Sequence, residues 1–137
     1  MDEKTQFSVA ALLDTWSARQ WNNGVQLDGL DEMDSLVVVT LNSTYEITVI
    51  APKSFEILIR GGRFFPEFTA GNLAGSSLGG SFLKIGGIYT GFCMELHAND
   101  QVIVTSRVES IRIIQKHRDR KAIRDFSRPS GGFETPT

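Results

Sequence analysis

Short β-branched and aromatic runs, separated by turn signals, occupy residues 36–114 and constrain the fold more than any other feature of the chain. LVVVTL (36–41) is apolar on both faces, as a central strand is, whereas TYEITVI (44–50) alternates apolar and polar residues. Gly61-Gly62 and Asn99-Asp100 lie between such runs and are typical of tight turns. The pattern predicts seven or eight antiparallel strands, joined mostly by hairpins, in a small β-barrel or strongly curved meander.

Two irregularities refine this prediction. RFFPEFT (63–69) has the composition of a strand, but Pro66 cannot donate a ladder hydrogen bond, so we expect an edge strand there.

In the last predicted run of strand residues, the apolar residues switch from even-numbered to odd-numbered positions. Val102, Val104 and Val108 are even-numbered, whereas Ile111 and Ile113 are odd-numbered. A strand has a period of two residues, so the switch predicts a bulge or bend within residues 106–110.

The residue patterns near both termini differ from that of this β-rich middle segment. FSVAALLDTWSARQW (7–21) repeats apolar residues at helical spacing and predicts an N-terminal α-helix that carries Trp16 and Trp21. The basic segment QKHRDRKAIRDF (115–126) is compatible with a short C-terminal helix. We expect one domain over 1–126 and a disordered tail over 127–137.

The bulk composition narrows the setting in which the protein works. The chain of 137 residues has one cysteine, Cys93, which cannot form an internal disulfide. That favours a reducing, cytoplasmic location. The N-terminus MDEKTQ lacks the charge pattern of a signal peptide, and no apolar run is long enough for a membrane helix, so we expect no membrane association.

Charge is distributed unevenly along the chain. Residues 1–35 carry seven acidic and two basic side chains, whereas residues 112–128 carry seven basic and two acidic ones. Opposite charges at the two ends suit pairing within a chain or between the chains of a homo-oligomer, and the alternative is that both ends are simply solvated. The overall pI of about 5.6 and the acids within the basic segment do not favour nucleic-acid binding.

The stretch GNLAGSSLGGSFLKIGG (71–87) raises the question of catalysis. Its Gly75–Gly79 matches the G-x-S-x-G nucleophile motif around Ser77, and Asp100 and His117 follow in hydrolase order. The nucleophile turn needs a strand before it and a helix after it, but a strand pattern follows here. We therefore expect no enzyme activity, with a serine hydrolase using Ser77 as a remote alternative.

Other chemistries find less support. From Gly71 to Gly75-Ser76-Ser77 the spacing is one residue short of a Walker phosphate loop, and the motif's lysine is missing, so we expect no nucleotide hydrolysis and no cofactor. Cys93, Glu95 and His97 share one face of a predicted strand. Strand residues two apart lie about 6.5–7 Å apart, which is wide for ligands of one ion, and no metal site is predicted.

Over residues 36–114 the segments LNSTY, RGGRFFPE, GSSLGGSFLKIGGIYTGFCMEL and TSRVESI resemble an uncharacterised family of small bacterial β-rich proteins. The resemblance implies a bacterial origin and a shared β fold, and it carries no known activity.

SSLGGSFLKIGGIYTGFCMEL is also similar to the second half of a PilZ domain, a six-stranded barrel that binds cyclic di-GMP. Ser77 and Gly80 match the S-x-x-G positions, and Gly91 falls at the later glycine. Gly75 replaces the acidic or amide residue of that motif, and Arg60 and Arg63 are spaced more closely than the family's R-x-x-x-R arginines.

Together these observations predict a non-enzymatic binding or protein-interaction module that self-associates. The alternative is a PilZ-like receptor for a cyclic dinucleotide or another small molecule. The residues expected at a ligand site are Ser76, Ser77, Gly79, Gly80, Ser81, Arg60 and Arg63. Those expected at an interface between subunits are Trp16, Trp21, Phe64, Phe65 and Phe68.

Overall fold

The computed structural model describes residues 23–79, 83–116 and 121–128, and most of these residues lie in β-strands. The helix predicted over 7–21, with Trp16 and Trp21, lies outside the described residues. The strands are β1 (Gly24–Gln26), β2 (Ser35–Thr40), β3 (Thr44–Ala51), β4 (Glu56–Gly61), β5 (Phe65–Ser77), β6 (Lys84–Ile85), β7 (Gly87–Tyr89), β8 (Cys93–Ala98), β9 (Gln101–Lys116) and β10 (Lys121–Ser127).

All the strand pairs are antiparallel and fall into two sheets. β1 and β7 form a small sheet, and the large sheet has the order β10-β9-β2-β3-β4-β5-β6. β8 lies off this path and pairs with both β5 and β9, so it bridges two distant strands of the meander. The mainly β, antiparallel fold predicted from the strand spacing is confirmed.

The predicted closed barrel is not what forms. β6 and β10 extend the large sheet beyond the strands that β8 bridges, and β1 with β7 makes a separate sheet. β5 and β9 each change partners along their length: β5 pairs with β4 over its first half and with β8 over its second. The described strands therefore leave sheet edges at β6 and β10.

The prediction of a short C-terminal helix within residues 115–126 is also wrong for the described part of that segment. Residues 121–127 form β10, which pairs with β9 from Lys121 opposite Lys116 to Ser127 opposite Ser110. Phe126 packs against the core from this strand, and that contact favours a strand over a helix. Arg128 continues beyond β10, donating its N–H to the carbonyl of Glu109 at 2.9 Å. Residues 129–137 lie outside the described range.

The core lies on the inner face of the large sheet. Alternate residues of β2 and β3, such as Leu36, Val38, Ile47 and Val49, are almost fully buried. Each fully buried aliphatic side chain of this size contributes about 1.5–3 kcal/mol through removal of apolar surface from water. The alternation explains why the strand pattern could be read from the sequence.

The irregularity predicted within residues 106–110 is confirmed, and a second one precedes it. Val39 lies opposite Ser110 while Thr40 lies opposite Val108, so Glu109 is an extra residue on β9. A further register shift separates Val104 from Arg107 against β8. Because there are two shifts, Ile103 faces the core, whereas Val102 and Val104 are 62% and 41% exposed. The parity argument from the sequence placed Val102 and Val104 on the same face as the buried Val108, and the structure separates them.

The turn residues also behave as their chemistry predicts. Asn99 and Asp100 have φ of 53° and 60° and join Ala98 to Gln101 as a two-residue hairpin. Gly61, with φ of 131°, lies opposite Phe65 at the β4–β5 hairpin. β7 and β8 are separated by a turn that contains Gly91, with φ of 88°.

Candidate functional site

The G-x-S-x-G stretch ends β5 and does not form a strand-to-helix elbow. Gly75 has φ of 150°, and a Cβ placed on it would come within 2.1 Å of the Lys84 carbonyl oxygen. Ser76 is fully buried: its hydroxyl donates to the Gly87 carbonyl at 2.9 Å and accepts from the Tyr89 N–H at 3.1 Å. Ser76 therefore joins β5 to β7, which is a structural task.

Ser77 is fully buried as well and lies opposite Cys93 at the start of β8. Asp100 lies at the far end of the β8–β9 hairpin, seven residues beyond Cys93. Seven residues of extended chain span about 23 Å, so Asp100 cannot reach Ser77. His117 lies outside the described residues. The structure does not assemble the Ser77–Asp100 part of the triad that the motif order suggested.

Among the described residues expected to form a ligand site, the two arginines lie apart from the serines at the end of β5. Arg60 is on β4, where its Nε donates to Glu46 at 2.6 Å and its guanidinium lies 4.4 Å from the centre of the Phe68 ring. Arg63 is exposed in the β4–β5 turn, and the thirteen residues from Arg63 to Ser76 span about 43 Å of extended chain. Gly79 is exposed with φ of 79°, and Gly80 and Ser81 lie outside the described residues.

The predicted aromatic interface is divided between core and surface. Phe65 is fully buried, so its assignment to an interface is wrong, and it is a core residue instead. Phe64 and Phe68 are 48% and 44% exposed. Pro66 lies in the first half of β5, which pairs with β4 alone among the described strands, as expected for an edge.

The three side chains at positions 93, 95 and 97 are placed differently from one another. Cys93 is buried, whereas the His97 side chain is 52% exposed. His97 Nε2 lies 3.7 Å from Glu95 Oε2. Within the described ranges no group of three or more His, Cys, Asp or Glu side chains is arranged to hold a metal ion.

An open groove of about 770 Å³ lies on the outer face between β4, β5 and the β8–β9 hairpin. Its floor follows one cross-strand row in which Glu56 is opposite Asn72, Asn72 opposite His97, and His97 opposite Val102. Ile50 and Leu58 contribute apolar walls. These residues are spread over about fifty positions of the chain, and no local motif in the sequence indicates that they meet.

The groove carries negative charge and ordered polar groups. Glu56 and Asp100 line it, and no lysine or arginine is among its described lining residues. The Ser54 hydroxyl donates to Glu56 Oε2 at 2.9 Å, and the Asn72 amide donates to the Ser54 carbonyl at 3.2 Å. Anionic ligands such as cyclic dinucleotides would be repelled from such a surface.

The outer edge of β10 is the other open feature. β10 pairs with β9 on one side, and no described strand pairs with its other side. Ile123 points outward from this strand and is 60% exposed. On the same face Asp125 accepts a hydrogen bond from Arg112 Nε at 2.8 Å.

Comparison of the chain with protein-family models, curated proteins and solved structures found no match. None of the described residues forms a helix long and apolar enough to span a bilayer. Functional interpretation therefore depends on open features of the described residues, above all the groove and the β10 edge.

Proposed function

We propose that this protein is a non-enzymatic interaction module that self-associates, and that copies pair through the outer edge of β10. The observation that carries the proposal is the combination of an edge that no described strand pairs with and an exposed isoleucine, Ile123, at its middle. An unpaired strand edge presents a row of backbone donors and acceptors, which a second strand can satisfy.

Two copies of β10 pair most simply about a twofold axis, antiparallel, so that one sheet continues into the next. A twofold axis perpendicular to the sheet places each residue opposite one of the same parity, and one residue then faces its own copy. Within β10 the centres that give the longest strand overlap are Ile123, Arg124 and Asp125.

Charge selects among these registers. With Arg124 at the centre, two guanidinium groups face each other, and with Asp125 at the centre, two carboxylates do. Like charges directly opposite destabilise a strand pair. With Ile123 at the centre, two exposed isoleucine side chains pack together and lose apolar surface to each other. The proposed dimer therefore has Ile123 opposite Ile123.

In the Ile123-centred register residues 121–125 of the two β10 strands pair, and so short a strand pair buries less surface than the roughly 1,200–2,000 Å² of a stable complex. The dimer is consequently weak and depends on protein concentration. Its proposed setting is the bacterial cytoplasm, where the single, buried cysteine needs no partner. The predicted helix 7–21, with Trp16 and Trp21, and the exposed Phe64 and Phe68 are further proposed contact surfaces.

The first test is light scattering after gel filtration, with sedimentation, from about 10 μM to about 1 mM protein. We expect a monomer–dimer equilibrium. Ile123→Lys places two cations at the centre of the interface and should give a monomer at every concentration. Ile85→Lys is the matched control because Ile85 is 63% exposed on β6, away from β10, and it should dimerise like the wild type. A wild type that stays monomeric up to about 1 mM would overturn the proposal.

Cross-linking tests the register. Residues directly opposite in an antiparallel pair have Cβ atoms about 4.5–5.5 Å apart, close to disulfide distance. Ile123→Cys should therefore form a disulfide-linked dimer rapidly under mild oxidation, whereas Asp125→Cys, which lies off the centre, should do so slowly. Faster cross-linking by Asp125→Cys would exclude the isoleucine-centred register.

A further inference from the structure

We propose that the groove between β4, β5 and the β8–β9 hairpin binds a cation carried on an aliphatic chain, such as the side chain of an arginine or lysine. The site is separate from the β10 edge, so it can succeed or fail independently of self-association. Three features support it, namely the charge of the lining, its ordered polar groups, and its size with apolar walls.

The charge of the lining favours a cation. Glu56 and Asp100 contribute two carboxylates, and the part of the chain that the structure describes places no lysine or arginine in the lining. The Glu95 carboxylate lies on the same strand face beside His97. A concave surface lined by one sign of charge concentrates its potential and attracts the opposite sign. Both lining carboxylates are solvent-exposed, so each contributes modestly and in a salt-dependent way.

The polar groups are held in place before any ligand arrives. The Ser54 hydroxyl fixes one oxygen of Glu56, at 2.9 Å, and this leaves the other carboxylate oxygen for a ligand. The Asn72 amide nitrogen donates to the Ser54 carbonyl at 3.2 Å, which leaves its side-chain oxygen as an acceptor. A guanidinium or ammonium group has donors only and therefore matches acceptors of this kind.

The apolar walls and the size of the groove exclude a bare ion as the natural ligand. A volume of about 770 Å³ falls in the range of sites for organic ligands. Ile50, Leu58 and the exposed Val102 can cover the methylene groups of an arginine or lysine side chain, as such stems commonly lie along apolar surface. A charged head with an aliphatic stem therefore fits both parts of the groove.

The test uses the full chain and two probes. The first is agmatine, a guanidinium on a short aliphatic amine, and the second is a blocked pentapeptide with two arginines flanking a leucine. A peptide with glutamates at the arginine positions is the control ligand. Titrations followed by NMR at low salt should show both cationic probes shifting resonances of residues 56, 72, 97 and 102, with no such shifts from the glutamate peptide. Tighter binding of the peptide would indicate a protein segment as the natural source of the cation, and equal binding would indicate a free amine.

Variants identify the responsible carboxylates. Glu56→Gln and Asp100→Asn each remove one charge with little change of shape, and asparagine suits the positive φ at position 100. Each should weaken binding about two- to fivefold, and the double variant about tenfold. Glu67→Gln, an exposed carboxylate on β5 outside the groove, should leave affinity unchanged. Absence of binding at millimolar probe, equal binding of the glutamate peptide, or an affinity that the double variant does not change would each overturn the proposal.

Discussion

Replacing Ser76 by alanine should destabilise the whole protein, although the sequence motif places this serine beside a candidate nucleophile. The hydroxyl of Ser76 donates to the Gly87 carbonyl and accepts from the Tyr89 N–H, at 2.9 and 3.1 Å in a fully buried setting. Alanine cannot replace either bond, and it leaves the Tyr89 N–H buried without this acceptor.

The magnitude follows from these two contacts. A lost intramolecular hydrogen bond costs about 0.5–1.5 kcal/mol, and a buried donor left unsatisfied costs about 1–3 kcal/mol. Ser76→Ala should therefore lower the free energy of unfolding by about 2–4 kcal/mol. With a urea m-value of about 2 kcal/mol/M, the denaturation midpoint should fall by about 1–2 M at unchanged m-value.

Urea denaturation followed by circular dichroism and tryptophan fluorescence measures this shift. Ser54→Ala is the control, because Ser54 is exposed, and it should change the free energy of unfolding by less than about 0.5 kcal/mol. If Ser76→Ala is as stable as Ser54→Ala, the bonds that join β5 to β7 do not contribute to stability, and the structural role assigned to this serine is wrong.

Three further predictions test particular parts of the fold. Phe65→Ala should lower the free energy of unfolding, measured by thermal or urea denaturation, by about 3–5 kcal/mol because Phe65 is fully buried. Phe64→Ala should lower it by less than about 0.5 kcal/mol. Equal effects of the two substitutions would contradict the division of these aromatics between core and surface. Gly75→Ala should destabilise far more than Gly79→Ala, since both glycines have positive φ but only Gly75 would bring a Cβ against backbone; similar denaturation midpoints would refute this. Burial, and secondarily Asp28, raises the pKa of Tyr89 above its usual value of 10.0, so the stability contributed by the neutral phenol is present below about pH 10 and is lost as pH rises through the raised pKa. Between about pH 9 and 11 the Tyr89→Phe variant should therefore lose less stability than the wild type. Parallel curves of unfolding free energy against pH for the two proteins would contradict the assignment.

Much of the β architecture could be predicted because it is encoded locally. A short apolar run identified β2, period-two alternation identified β3, and the Asn99-Asp100 pair identified a two-residue hairpin. The parity switch predicted an irregularity within residues 106–110, where Glu109 is the extra residue. Each of these signals depends on backbone preferences within a few residues of chain. The prediction for residues 121–126 failed because a basic segment has no decisive periodicity, and its pairing with β9 and the packing of Phe126 decided the outcome.

The sequence alone determined that this chain folds as an antiparallel β protein with a bulged last run and a proline-marked edge. The tertiary structure decided which serine is buried, which phenylalanine belongs to the core, and where a ligand can fit. The groove exists because Glu56, Asn72, His97 and Val102 lie side by side across four strands. That juxtaposition depends on strand register, which a shift of one residue would change, so composition and local motifs do not reveal it.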